Sequence, residues 1–171
     1  MVLSAAMISC SGNKKQSDVS DKTQTQETTT FATFELDELL PVAEENLGNT
    51  VTVVGYVTHT CKHAGKRCFI VGESQQVSIR VEAKGEIGGF NRELVGSKLA
   101  ITGVLKERRL EEEFIDQMER DVAQKAAEGE SEEHCSTELK NISDMRKWMA
   151  DNNKDYYVIY FMDGLSFEEL G

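Results

Sequence analysis

TVTVVGYVTHT, residues Thr50–Thr60, is the stretch whose reading decides the fold. β-Branched residues dominate it, and these pack well on a pleated sheet while losing rotamer freedom in a helix. Gly55 sits inside it, where a glycine marks a bulge or a sharp bend. The stretch therefore predicts a bent strand. Working outward, Cys68–Val71 reads as a second strand and Gly72–Ser74 as a turn. Gln76–Ala83 alternates Val77, Ile79 and Val81 with Ser78, Arg80 and Glu82, the period of a half-buried strand. Lys84–Arg92 carries three glycines and predicts a loop, and Ser97–Lys106 alternates again with Gly103 as a further bend.

After this the period changes. Leu110, Phe114, Met118 and Val122 fall four residues apart among Glu111, Glu112, Glu113, Asp116 and Glu119, which predicts an amphipathic helix with a solvated acidic face. Gly129 ends it, and Ser136 is the expected N-cap of a second helix carrying Leu139, Ile142, Met145 and Met149, with Trp148 beside them. Tyr156–Met162 predicts a closing strand, its aromatics serving the core rather than stacking on a ligand. Upstream, Leu36–Leu47 has room for a turn or two of helix before Gly48. This order predicts a mainly β fold: a five-stranded Greek-key barrel with a two-helix insertion between strands four and five. The alternative is a small α+β sheet with both helices on one face.

The 171-residue chain has room for one domain, expected over 31–171, and a tail. Its net charge of −11 is unevenly spread. Residues 49–106 hold eight basic against four acidic side chains, whereas the flanking stretches are both acidic. Lys62, Lys66, Arg67 and Arg80 are the candidate contacts for an anionic ligand, but so small an excess disfavours nucleic acid, whose binding rests on neutralising phosphates.

Residues 1–10 end an apolar run in Cys10 and read as the remnant of a bacterial lipoprotein signal, with Cys10 as the lipidated residue. The basic region that should open such a signal is missing, which places the expected start upstream. Residues 11–30 hold one aliphatic side chain, Val19, among polar and charged ones, so they predict a flexible tether. Anchor and tether together imply a membrane-attached module facing the periplasm. No run is long and apolar enough to predict a transmembrane helix.

His59, Cys61, His63 and Cys68 crowd one strand–turn–strand junction, in a chain with only three histidines and four cysteines. Three readings stand open. Cys61 and Cys68 could close a disulfide across the turn, which an exported location permits. Thiolates and imidazoles could instead bind zinc or copper, with Cys61, His63 and Cys68 as the core and His59, His134 or Cys135 completing the set. On an extended strand His59 and Cys61 share one side, which suits joint ligation. In the third reading the four are packed or reactive side chains, and His134 and Cys135 are a helix-end histidine and a small buried thiol.

The segment Gly55–Phe69, GYVTHTCKHAGKRCF, resembles a poorly characterised family of small exported bacterial OB-fold proteins, especially its lipoprotein members in Bacteroides-type bacteria. These pair a G-x-V-T-x-x-C pattern with a second cysteine followed by an aromatic residue. They then carry a glycine-containing fourth strand and a charged helix with a histidine. The resemblance covers roughly residues 49–162. It implies an OB barrel outside the cytoplasm and brings no established activity.

Enzyme motifs are missing: the chain has no nucleophile elbow, P-loop, dinucleotide glycine pattern or H-E-x-x-H. The expectation is therefore a non-enzymatic, lipid-anchored module of the cell envelope that binds a metal, small ligand or protein through its Cys/His cluster. The alternative is a structural or interaction module with a Cys61–Cys68 disulfide, its barrel face binding an oligosaccharide, a peptide or, less readily, nucleic acid.

Overall fold

The computed structural model describes residues 30–62 and 65–171, so the expectations for Cys10, for most of the tether and for His63 lie outside the described residues. Its elements are β1 (Ala32–Glu35), α1 (Leu36–Leu39), β2 (Thr50–Thr60), β3 (Arg67–Val71), β4 (Ser78–Ala83), β5 (Lys98–Glu111), α2 (Glu112–Ala127), α3 (Glu132–Asp151) and β6 (Tyr156–Leu170). Two short 3-10 turns follow α1, and a third, Arg92–Leu94, interrupts the loop before β5.

Five strands close a barrel in the order β2-β3-β4-β6-β5, with β5 returning to pair with β2. All neighbours are antiparallel except β4 and β6. The expected mainly β barrel is present, and its two-helix insertion lies between the fourth and fifth barrel strands. Short β1, which alternation had not revealed, adds in parallel to Val51–Val54.

One long strand can serve several neighbours only by bending, and both expected bends occur. At Gly55, β2 passes from β1 toward β3; a Cβ there would lie 2.8 Å from the Val71 carbonyl oxygen, so the backbones approach too closely for a side chain. Gly103 sits at a register shift between β5 and β6 and would meet the Asp163 carbonyl oxygen at 2.5 Å. Inside the barrel Val53, Ile70, Ile79, Val81, Leu99, Ile101, Leu105 and Met162 form the core, joined by Leu36 and Leu39 of α1. The glycine-rich loop after β4 also turns Ile87 and Phe90 inward.

β5 and β6 run on together as a ribbon, from Lys98 opposite Leu170 to Glu111 opposite Tyr156. On its far end sit α2 and α3, whose Ile115, Val122, Cys135, Ile142 and Met149 form a second apolar cluster with Leu110. The helix boundaries differ from expectation. Leu110 belongs to β5 rather than opening a helix, so the buried stripe of α2 runs through Ile115 and Val122 and leaves Phe114 46% exposed, its ring 5.5 Å from the Arg108 guanidinium. Ser131, not Ser136, caps α3, its hydroxyl accepting from the His134 amide at 3.3 Å. That places Cys135 within the helix. Among the described residues no helix is long and apolar enough to cross a membrane.

Candidate functional site

The register between β2 and β3 decides the geometry of the cysteine cluster. Thr60 pairs directly with Cys68, and a bulge lies between Val57 and His59. Thr60 and Cys68 both face the barrel interior, at 3% and 0% exposure. Cys61 comes one residue later, so alternation turns it to the outer side. It is partly exposed, and its amide donates to the Arg67 carbonyl at 2.8 Å.

Of the open readings, the Cys61–Cys68 disulfide is not formed in this structure: both are free thiols, Cys68 buried and Cys61 partly exposed. Cys68 packs within the barrel's apolar cluster, and burial pushes its thiol up to about 12. A neutral thiol walled in by hydrocarbon is neither a good nucleophile nor a ready metal ligand.

The remaining candidates separate in space. His59 lies exposed on the outer face of β2 opposite Phe69, with the ring centroids 6.1 Å apart. His134 is in the first turn of α3, 3.5 Å from Glu138, while Cys135 is buried in the helical cluster. Among the described residues no three His, Cys, Asp or Glu side chains gather as a metal would require.

The basic candidates fare differently from one another. Lys66 donates to the Gly88 carbonyl at 2.7 Å, which pins the turn after β2 to the loop after β4. Lys62 is exposed. Arg67 and Arg80 flank one carboxylate, with each Nε 3.0 Å from Glu82 Oε1. For Arg80 that approach lacks hydrogen-bond alignment, leaving a buried Nε without an aligned acceptor.

The strand registers bring these arginines into a larger arrangement. Reading across the outer face, His59 on β2 pairs with Phe69 on β3, Phe69 with Arg80 on β4, Arg80 with Phe161 on β6, and Phe161 with Lys106 on β5. The adjacent row, Cys68, Val81, Met162 and Leu105, is the buried inner one. From Phe69 onward the outer row alternates a ring with a cation over neighbouring strands. Phe69 is 36% exposed, and the Arg80 guanidinium lies 5.1 Å from the Phe161 ring. Lys106 reaches Asp163 at 2.6 Å.

Such a row can do two things: rings offer flat apolar surface, and cations offer donors to acidic groups between them. The sequence predicts Phe161 as a core aromatic, and the register corrects this by turning it to the outer face with Arg80 and Lys106. Phe69 is marked there only as the aromatic after the second cysteine, and Lys106 carries no signal until the barrel closes.

No protein-family model matches the chain, and neither does any curated protein. Among solved structures, it superposes in part on a protein named as an aspartyl-tRNA synthetase from Leishmania major Friedlin, with TM-score 0.36 and 18% identity. The match covers 52% of this chain and 18% of that one.

Proposed function

We propose that this chain is a lipid-anchored module of the cell envelope that holds an acidic oligosaccharide along the outer face of β3, β4 and β6. The observation that carries the reading is the row His59–Phe69–Arg80–Phe161–Lys106. Neighbouring strands lie about 4.8 Å apart, so rings recur roughly every 10 Å with a cation between them. That spacing suits a polymer in which an uncharged sugar alternates with an acidic one. Each uncharged sugar would lay its apolar face on a phenyl ring while the carboxylate of each acidic one met a guanidinium or ammonium. Barrels of this architecture use the same face, on their second and third strands, for oligosaccharides and oligonucleotides. Nucleic acid fits less well. Glu82 and Asp163 partly offset the cations of this face, and the chain carries a net −11.

The test is calorimetry of the full chain with a hyaluronan hexasaccharide, oligogalacturonate and an oligo-thymidylate. The hyaluronan hexasaccharide, which alternates an uncharged sugar with an acidic one, should bind more tightly than oligogalacturonate, and Phe69→Ala or Phe161→Ala should each weaken it about tenfold, about 1.4 kcal/mol. Binding only of the oligonucleotide, with a steep salt dependence, would replace the reading. Anchoring through Cys10 is part of the same proposal. Mass spectrometry of the membrane-extracted protein tests it, and an unacylated mature N-terminus at Cys10 would sink it.

A zinc or copper site is the second reading; of its candidate ligands, His59 and Cys61 share the outer side. One equivalent of zinc lost on Cys61→Ser and kept on Cys68→Ala would establish it.

A further inference from the structure

Successive side chains of β6 point to opposite sides of the sheet, so Val158 and Tyr160 leave the face that carries Phe161. On that other side, between the segment after α1, the β5–β6 ribbon and the C-terminal end of α3, lies a cleft of about 250 Å³. Trp148, Tyr156, Tyr160, Glu44, Glu107 and Lys154 line it. A liquid water occupies about 30 Å³, so the cleft has room for roughly eight waters, or one ring-sized ligand with its substituents.

The charges in and beside this cleft balance internally. Lys154 Nζ donates to Glu44 Oε1 at 2.9 Å, and Arg109 Nε donates to Glu107 Oε1 at 2.7 Å. Both cations also sit over Tyr156, with Arg109 4.3 Å and Lys154 5.7 Å from its ring centroid. Each carboxylate thus has its own counter-charge, and a charged ligand would have to break one of these pairs. A neutral ligand rich in hydroxyls would not, because a carboxylate in an ion pair still has lone pairs to accept with. Burial, with Glu44 and Glu107 nearby, raises the Tyr160 hydroxyl above its usual range and keeps it a neutral donor. Asn152, whose amide donates to the Trp148 carbonyl at 2.8 Å, presents its side chain at the same cleft. Leu40 and Val158 add apolar wall.

We propose that this cleft is a second binding site, one for a neutral pyranose ring, with Trp148 and Tyr160 offering the apolar platform and Glu44, Glu107 and Asn152 meeting the hydroxyls. The inference stands independently of the outer face, from which β6 separates it.

Trp148 is the only tryptophan in the chain, so the cleft carries its own reporter. The experiment is a fluorescence titration of the full chain with methyl glucopyranoside, methyl galactopyranoside and N-acetylglucosamine, against choline and glucuronate as charged controls. A saturable change with at least one neutral sugar, and with neither control, is expected. Glu107→Gln and Tyr160→Phe, both small changes of shape, should each weaken it about tenfold with an unchanged melting point. Phe69→Ala should leave it unaltered. The proposal is overturned if no neutral sugar saturates the signal, if a charged control binds more tightly, or if both cleft variants titrate like the parent.

Discussion

Cys68 gives the sharpest single test of this geometry, because the structure assigns it and Cys61 opposite fates. At pH 8 an ordinary thiol with pKa 9.0 is about one-tenth thiolate, whereas a thiol pushed up to about 12 is ionised to roughly one part in ten thousand. Ionisation alone therefore slows alkylation of Cys68 about a thousandfold. Full burial removes the approach path as well, so reaction requires the barrel to open. Cys61, just after β2, is partly exposed and lacks that burial. Timed N-ethylmaleimide labelling of the unreduced full chain, followed by peptide mass spectrometry, should show Cys61 modified early. Cys68 should follow only at the rate of unfolding, speeding up in mild denaturant. Comparable labelling of the two would refute the inward assignment of β3, and a recovered Cys61–Cys68 linked peptide would refute the register that pairs Cys68 with Thr60.

Four further outcomes test other parts of the fold. Thr60 Oγ1 is buried without a partner opposite Cys68, so Thr60→Val, which keeps the shape and removes the orphaned hydroxyl, should stabilise the chain by about 1 kcal/mol, read as a higher denaturant midpoint. Asp37 accepts from the Ser74 hydroxyl at 2.6 Å and from its amide at 3.1 Å, and these bonds hold its carboxyl below its ordinary value of 3.8. Its stabilising effect is complete above that value and fades as pH falls through the lower folded pKa. Asp37→Asn should therefore soften the loss of stability below about pH 4, and an unchanged acid limb would count against the link. In the helical hairpin, Ile142→Ala should cost about 2–4 kcal/mol and selectively raise hydrogen exchange in α2 and α3. Arg146→Ala, which removes exposed pairs to Asp116 and Glu119, should cost under about 1 kcal/mol.

What the sequence disclosed follows from how local each signal is. Ile79–Val81 and Leu99–Ile101 alternate because one face of each strand is buried and the other is not, and that contrast is written into consecutive residues. Gly55 and Gly103 were readable as bends because close approach of two backbones leaves no room for a Cβ. The start of α3 was not readable. Its first turns bury only Cys135, so no apolar period marks them, and the cap moved from Ser136 to Ser131. Leu110 misled in the opposite way, since a strand's last inward residue happened to fall in step with a helical series.

The site lies a level further from the chain. His59, Phe69, Arg80, Phe161 and Lys106 scatter over half the sequence and become one row only when five strands close in a particular register. The cysteines show how much hangs on that register. Cys61 and Cys68 are close in sequence and flank one turn, so proximity alone suggested a staple or a shared metal. Side-chain direction in a sheet has a period of two, and an offset of one residue reverses it. Cys68 pairs with Thr60 rather than Cys61, and that single step turns one thiol into the core and leaves the other outside.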